Sequence, residues 1–218
     1  MLDPAKQLAR TAQIDRIYRA IGLFIVEFSH VVEQMEITIR LVVNGHKEGQ
    51  IALLSELTAE PLKKAWVSVV IEVLKPDEAD KKVLVQLAAE VTKLIEIRND
   101  LAHGQWIIGA GNEQSTDWST ALFIKPKNSS SGVSWEREVI KRGTNAEVIE
   151  AQAFRAVVLS QAIMTYFGVY LPKAFPTPGI VIGHAADQIV VKHGVIYLRQ
   201  NTGEWVGSDK TRLQERPN

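Results

Sequence analysis

Hydrophobic residues in the first part of the chain recur at intervals of three and four positions. The series consists of Ile14, Ile17, Ile21, Phe24, Phe28, Val31, Met35, Ile39 and Val42. Because three to four residues make one helical turn, this spacing predicts a single amphipathic helix over residues 13–43 that ends at Asn44-Gly45. A helix of that length offers an elongated apolar surface against which other helices can pack.

A second helical region is predicted over residues 51–74 and a third helix over residues 77–103. Thr58 is expected to cap the main segment of the second region. The apolar face of that segment is predicted from Leu62, Trp66, Val69 and Val73. The third helix begins after Pro76 and should end at Gly104, a natural terminator. Its apolar series consists of Leu84, Leu87, Val91, Leu94 and Leu101. Among all these residues, Phe24, Trp66 and Leu84 are expected to lie in the core.

The sequence after residue 104 predicts a β-hairpin followed by a fourth helix. The hairpin is expected at about residues 119–142, from the apolar runs 121–124 and 133–135 that flank a polar, glycine-containing turn. The fourth helix is predicted from about residue 144 to residue 170. Its stretch 156–172 is uncharged, but it is shorter than a membrane span of about 20 residues, so we expect a core helix.

Prolines mark the clearest boundary in the chain, directly after the fourth helix. They are Pro172, Pro176 and Pro178. Short strands are predicted beyond them at residues 180–182, 189–191 and 195–198, with turns at His193-Gly194 and at residues 201–203. The fold class is therefore predicted to be mainly α, with four helices and an inserted hairpin over residues 1–172. A Pro-rich linker and a small β appendage follow over residues 173–218.

Composition excludes several classes of protein. The 218 residues include 25 Lys and Arg against 25 Asp and Glu, so no strongly basic coat for nucleic acid is present. The absence of cysteine excludes disulfide scaffolds, Cys-ligated zinc and thiol nucleophiles, and it suits a reducing cytosol. The first residues lack the pattern of a secretory signal. We therefore expect a cytoplasmic protein with no membrane segment.

Few side chains can serve as a nucleophile, a proton-transfer group or a metal ligand, because the chain has five histidines and no cysteine. No two histidines have a helical zinc spacing, and no glycine-rich phosphate loop occurs, so we expect neither a metal nor a cofactor. The segment 97–106 stands out instead. Arg98 takes a position in the apolar series of the third helix, where an unpaired guanidinium is costly. Asn99 and His103 are four positions apart and share a helix face.

Arg98 and His103 are five positions apart, which separates their directions on an ideal helix by about 140°. Within one chain they need not converge, whereas two copies related by a two-fold axis can line one cleft. Arg40 and His46 have a similar spacing, but no polar residue follows the arginine and the pair straddles a predicted helix end.

The run Arg98-Asn99-Asp100-Leu101-Ala102-His103 resembles the arginine-to-histidine signature of HEPN-domain proteins, in which a polar residue often follows the arginine. The resemblance covers about residues 13–172 and implies an up-and-down four-helix bundle with the motif late in the third helix. It implies a metal-independent endoribonuclease that acts as a homodimer on RNA. Family members also recur in toxin–antitoxin pairs and antiviral defence, which implies an antitoxin or other regulatory protein as partner. Gln105 stands where one toxin branch carries a modified tyrosine, so regulation by that route is not implied.

The same residues suit RNA cleavage on chemical grounds. RNA supplies its own nucleophile, the 2′-hydroxyl, so the enzyme needs a proton-transfer group and a cation. Histidine exchanges protons near neutral pH, which suits His103, and Arg98 presents a permanently charged fork to phosphate oxygens. Asn99 is expected to orient His103 or to hold a phosphate oxygen, and Glu33 and Asp100 are candidate supporting acids. The expected products are a 2′,3′-cyclic phosphate and a 5′-hydroxyl.

The sequence is also consistent with purely structural roles for the same residues. Arg98 can cap the end of its helix or pair with a buried glutamate. His103 can be a helix-end histidine that the helix dipole stabilises. The chain would then be a catalytically inactive HEPN-type helical module that binds a protein or RNA partner. A purely structural bundle, by contrast, leaves the polar cluster of Arg98, Asn99 and His103 unexplained.

Overall fold

The chain folds into helices and two small antiparallel sheets, which confirms the predicted mainly α class. A computed structural model describes residues 4–43, 47–103, 105–108, 120–126, 139–174 and 184–217. Two compact units can be distinguished. Unit 1 consists of Met1–Val26 and Glu96–Ala153, and unit 2 consists of Glu27–Ile95 and Phe154–Asn218.

Five α-helices lie in the described part of the chain. They are α1 (Pro4–Val43), α2 (Lys47–Ser55), α3 (Ala59–Val69), α4 (Glu78–His103) and α5 (Ala146–Ala174). The predicted first, third and fourth helices are confirmed, although α1 begins nearer the start of the chain. The predicted second helical region is two helices, because the backbone of Thr58 is extended between them. Thr58 occupies the N-cap position of α3, but its side chain makes no capping hydrogen bond.

Helix α3 continues into a π-helical turn, Val70–Leu74, that changes which side chains are buried. Trp66 is buried as predicted, but the Val73 side chain is 53% exposed. Val70 and Leu74 are buried instead. A π turn holds more residues than an α turn, so side chains four positions apart stay aligned through it. The predicted place of Val73 on the apolar face is therefore wrong.

The first sheet belongs to unit 1 and has the strand order β1-β2-β3. The strands are β1 (Gln105–Ile108), β2 (Thr120–Pro126) and β3 (Val139–Asn145). The first predicted hairpin strand lies within β2 and is confirmed. Its antiparallel partners are β1 and β3, with Thr120 opposite Asn145. The second predicted hairpin strand, 133–135, lies outside the described residues.

Helix α5 begins where the sequence predicts, because Asn145 caps it. The Asn145 side-chain oxygen accepts a hydrogen bond from the Val148 amide at 2.9 Å. In unit 1, Arg16 of α1 pairs with two residues of this first part of α5, Glu147 at 2.7 Å and Glu150 at 3.1 Å. These pairs are about half exposed, so solvent screening keeps their contribution to stability small. Burial of apolar side chains therefore provides most of the stability of unit 1. The buried residues of this unit are Ile17, Ala20, Phe24, Leu101, Ala146, Ile149 and Ala153.

The core of unit 2 contains most of the predicted apolar positions. Trp66 and Leu84 are fully buried there, as predicted, and Phe24 is fully buried in unit 1. The stretch 156–172 is confirmed as core helix by its buried residues Ala156, Val158, Leu159, Ala162, Ile163, Tyr166, Phe167 and Tyr170. No helix in the described part of the chain is long and apolar enough to span a bilayer.

The second sheet belongs to unit 2 and has the strand order β4-β5-β6-β7. The strands are β4 (Ile189–Lys192), β5 (Val195–Arg199), β6 (Trp205–Gly207) and β7 (Arg212–Leu213). The predicted strands at 189–191 and 195–198 are confirmed, whereas 180–182 lies outside the described residues. The predicted two-residue turn is also confirmed, since His193 and Gly194 have φ angles of 49° and 77°. Positive φ at both positions is typical of a type I′ hairpin turn.

The division predicted at residue 172 stays a prediction, because residues 175–183 lie outside the described part. The strands β4–β7 nevertheless belong to the same compact unit as residues 27–95. Several contacts to α4 and α5 hold this sheet in unit 2. Gln86 donates to the carbonyl of Val191 at 3.4 Å, and Arg155 donates to that of Gly194 at 3.0 Å.

Candidate functional site

The predicted motif lies in the last two turns of α4, within unit 1. The apolar series that leads to it is buried from Leu84 to Leu94 and again at Leu101. Arg98, which takes the position between them, is half-buried, and Asn99 is also half-buried. His103 is the last residue of the helix and is exposed. The motif is thus placed where an apolar helix face gives way to solvent.

The structure brings Arg98, Asn99 and His103 together within one chain. Nη1 of Arg98 donates to Oδ1 of Asn99 at 3.2 Å and lies 3.4 Å from Nε2 of His103. Because a guanidinium can only donate, the second contact requires an unprotonated Nε2 that acts as the acceptor. The long arginine side chain therefore bridges the angle that separates the two positions on the helix.

The charge of Arg98 is not neutralised by any carboxylate within ion-pair distance among the residues that the structure describes. The sequence left open a buried glutamate as the partner of Arg98. The buried glutamate of the described residues is Glu90, and it pairs with Arg155 in unit 2. Burial lowers the pKa of Arg155, and the adjacent Glu90 carboxylate compensates its charge. Among the described residues, the groups within hydrogen-bond distance of the Arg98 guanidinium are thus the neutral side chain of Asn99 and the ring of His103. His103 is the last residue of α4, a position that also fits a histidine stabilised by the helix dipole.

The remaining predicted site residues have different positions. Asp100 is half-buried and follows Asn99 in α4. Glu33 is an exposed residue of α1 and belongs to unit 2. Their supporting roles stay predictions. Arg40 pairs with Glu36 one turn earlier at 3.6 Å, and His46 lies outside the described residues.

A second polar cluster, which the sequence analysis did not identify, lies at the start of α4 in unit 2. Asp77 is the N-cap, and its Oδ1 accepts a hydrogen bond from the Asp80 amide at 2.9 Å. Asp80 is fully buried and accepts hydrogen bonds from the Tyr170 hydroxyl and from the Ala186 amide. His184 Nδ1 lies 2.8 Å from Oδ2 of Asp77.

The protonation of this second cluster follows from its contacts. The hydrogen bond from the Asp80 amide, followed by the charge of His184, lowers the pKa of Asp77. Burial, followed by the hydrogen bond to Asp80, raises the pKa of Tyr170. Tyr170 therefore keeps the proton that it donates to Asp80.

Asp77, Asp80 and His184 are the residues of the described part whose chemistry suits a metal ion, with ligand atoms within 4.8 Å of one another. Both carboxylates already accept hydrogen bonds from the backbone or from Tyr170. The contacts of this cluster therefore hold residues 184–186 against the start of α4. Asp80 and Ala186 are 106 positions apart in sequence, so no local spacing indicates the cluster.

Comparison with known proteins identifies no family for this chain. No family model matches the sequence, no curated protein matches it, and no solved structure matches its fold.

Proposed function

We propose that this protein is a HEPN-type endoribonuclease that cleaves RNA as a homodimer and needs no metal ion. The observation that carries the proposal is the convergence of Arg98, Asn99 and His103 on one another at the solvent-facing end of α4. A guanidinium that pairs with no described carboxylate and lies beside an imidazole suits a reaction that moves a proton next to a phosphate.

In the proposed reaction the 2′-hydroxyl of RNA attacks the adjacent phosphorus. When the phosphate binds the guanidinium of Arg98, Nε2 of His103 no longer accepts from Nη1. Nε2 then takes the hydroxyl proton, a role that contributes about 10²–10⁴-fold to the rate. The 2′-oxygen bonds to phosphorus while the bond to the 5′-oxygen breaks, and water protonates the departing oxygen. The products are a 2′,3′-cyclic phosphate and a 5′-hydroxyl.

Arg98 and Asn99 serve the charge and the geometry of this reaction. The guanidinium of Arg98 stabilises the negative charge that develops on the phosphate oxygens, which is worth roughly 3–4 kcal/mol at a transition state. Asn99 accepts from Nη1 of Arg98 and so fixes the direction of the fork. A homodimer brings two such clusters to one cleft, where the second arginine adds positive charge beside the same strand.

The biological setting that we propose follows from the resemblance alone. It is a toxin–antitoxin or antiviral defence system, in which an antitoxin or regulatory protein controls the nuclease. Cleavage can be tested with the purified chain alone, whereas identification of such a partner requires a separate experiment.

The decisive experiment measures cleavage of mixed cellular RNA by the purified full-length chain in EDTA. Wild type is compared with Arg98→Ala, His103→Ala and the matched control His30→Ala, which removes an exposed histidine of α1. Only wild type and His30→Ala are expected to cleave and to leave cyclic phosphate and 5′-hydroxyl ends. Neither of these two proteins should cleave an RNA with 2′-O-methyl groups, because the 2′-hydroxyl nucleophile is then blocked.

Three results would contradict the proposal: equal cleavage by all four proteins, 5′-phosphate ends, or no cleavage by wild type. The last result would favour the catalytically inactive module. That alternative also predicts that Arg98→Ala lowers the melting temperature, since the arginine would then be structural. Our proposal instead predicts a change of only a few degrees, because no described carboxylate pairs with Arg98.

A further inference from the structure

A depression of about 390 Å³ opens on the second sheet, within unit 2. Residues that precede β4, the end of β5, strand β6 and the C-terminal segment all contribute to its wall. The depression is lined by Asp187, Gln188, Arg199, Gly203, Trp205, Gln214 and Arg216. Sites for small ligands have volumes of about 300–1,000 Å³, so one small molecule or one nucleotide unit fits.

The depression has an excess of positive charge. Arg199 and Arg216 line it against a single acidic residue, Asp187. Neither arginine has a carboxylate within ion-pair distance in the part of the chain that the structure describes. By contrast Arg212, an arginine of the same sheet outside the depression, lies 3.8 Å from Glu204.

One of the two arginines is held in place and the other is unengaged. Nη2 of Arg216 donates to the Ala186 carbonyl at 2.9 Å, which fixes its side chain across the depression. The side chain of Arg199 makes no hydrogen bond to any described residue, and its backbone amide donates to the Gln188 carbonyl at 2.9 Å. Two guanidinium groups thus line the depression, and neither forms an ion pair with a described carboxylate.

The rest of the lining narrows the class of ligand. Guanidinium forks match the oxygens of phosphate, and the side-chain amides of Gln188 and Gln214 add neutral donors. Gly203, with a φ of 85°, has no side chain, so the backbone can approach a ligand closely. Asp187 repels a bare phosphate but accepts a hydrogen bond from a hydroxyl or amino group. A ligand that carries both a phosphate and such donors satisfies all of these groups.

We infer that this depression binds one nucleotide unit through its phosphate, with Arg199 and Arg216 on the phosphate oxygens and Asp187 on a hydroxyl or amino group. The unit is either a free nucleoside monophosphate or part of an RNA strand. The inference does not depend on the proposed nuclease activity, because every residue involved belongs to unit 2 and binding requires no cleavage.

The test is isothermal titration of the full-length His103→Ala protein with uridine 5′-monophosphate and, separately, with hexauridylate RNA. This background keeps the RNA intact, so a failure of the nuclease proposal does not affect the result. We expect saturable binding that Arg199→Gln and Arg216→Gln each weaken by about tenfold or more. The matched control Arg212→Gln should bind within about twofold of the parent. Inorganic phosphate should bind more weakly than the nucleotide, because Asp187 repels it.

Comparison of the two titrations identifies the source of the ligand. Tighter binding of hexauridylate assigns the depression to an RNA strand, and equal or tighter binding of the monophosphate assigns it to a free nucleotide. No saturable binding of either probe at millimolar concentration overturns the inference. Equal weakening by all three substitutions also overturns it, since that indicates non-specific attraction. Arg199→Gln removes no hydrogen bond of the fold, so its effect cannot be attributed to unfolding.

Discussion

Nη1 of Arg98 lies 3.4 Å from Nε2 of His103, although the two residues are five positions apart on one helix. This contact within a chain predicts that the two residues act from the same copy. A mixture of Arg98→Ala and His103→Ala chains, refolded together to form mixed dimers, should therefore stay inactive in the RNA cleavage assay. Recovery of about a quarter or more of the wild-type activity would show that the pair acts across the dimer instead.

The buried pair of Glu90 and Arg155 predicts a large loss of stability when one partner is removed. The Glu90 side chain is 3% exposed, and Lys93 donates to its other oxygen at 2.7 Å. Glu90→Ala leaves the Arg155 guanidinium without its carboxylate and should lower the free energy of unfolding by about 3–5 kcal/mol. Urea denaturation measures the change.

A matched control separates this effect from a general effect of removing a glutamate from α4. Glu96 lies on the same helix and is exposed. Glu96→Ala should change the free energy of unfolding by at most about 0.5 kcal/mol. Similar losses for both substitutions would contradict the importance of the buried pair.

The Tyr170 hydroxyl and Asp80 should be energetically coupled. Asp80→Ala removes the acceptor of two hydrogen bonds, one from that hydroxyl and one from the Ala186 amide, at a cost of about 1–3 kcal/mol for each. In a double-mutant cycle, Tyr170→Phe should cost less in an Asp80→Ala background than in wild type. Tyr18→Phe, at a site 60% exposed, should have no effect. Additive effects of the two substitutions would show that the hydrogen bond contributes no stability.

Gly207 in β6 should tolerate no side chain. A Cβ atom there would lie 2.5 Å from Oδ1 of Asp209 and 2.6 Å from Oγ1 of Thr211. Gly207→Ala should destabilise unit 2 by about 1–3 kcal/mol, as overpacking does. Gly22 in α1 is the opposite case, because a Cβ atom meets nothing within 4 Å. Gly22→Ala should stabilise the protein by roughly 0.5–1 kcal/mol, since alanine favours a helix. Thermal melts of the two variants that shift in the same direction would refute this account.

The lowered pKa of Asp77 predicts a contribution to stability that depends on pH. A carboxyl group whose pKa falls on folding stabilises the protein above its ordinary value of 3.8 and loses that effect as pH decreases through the lower, folded value. The difference in melting temperature between wild type and Asp77→Asn should therefore be largest near neutral pH and shrink below about pH 4. Asp15→Asn, an exposed site on α1, is the control. A difference that grows on acidification would contradict the prediction.

Periodicity predicted the helices because each one buries a continuous stripe of its own side chains. Seven of the nine residues in the α1 series are buried, and Ile14 and Ile21 are half-buried. The prediction was wrong at Val73, where the π turn moves burial to Leu74. Strands β6 and β7 were not predicted, because two or three residues are too few to show an alternating pattern.

The motif of the candidate site was visible in the sequence, since Arg98, Asn99 and His103 lie within six consecutive positions. Their convergence was not visible, because the rotamer of a long arginine side chain is not determined by spacing along a helix. The depression on the second sheet left no sequence signal, because Arg199 and Arg216 come from separate segments that only the folded sheet brings together.

The sequence alone therefore determined the mainly helical class, the helix positions and a local motif, since these depend on interactions between residues a few positions apart. The tertiary structure decided which charges are paired. Glu90 and Arg155 are 65 positions apart, and Asp80 and Ala186 are 106 apart. Pairing over such separations requires the chain to have folded already, because burial of the apolar core holds the two partners within bonding distance.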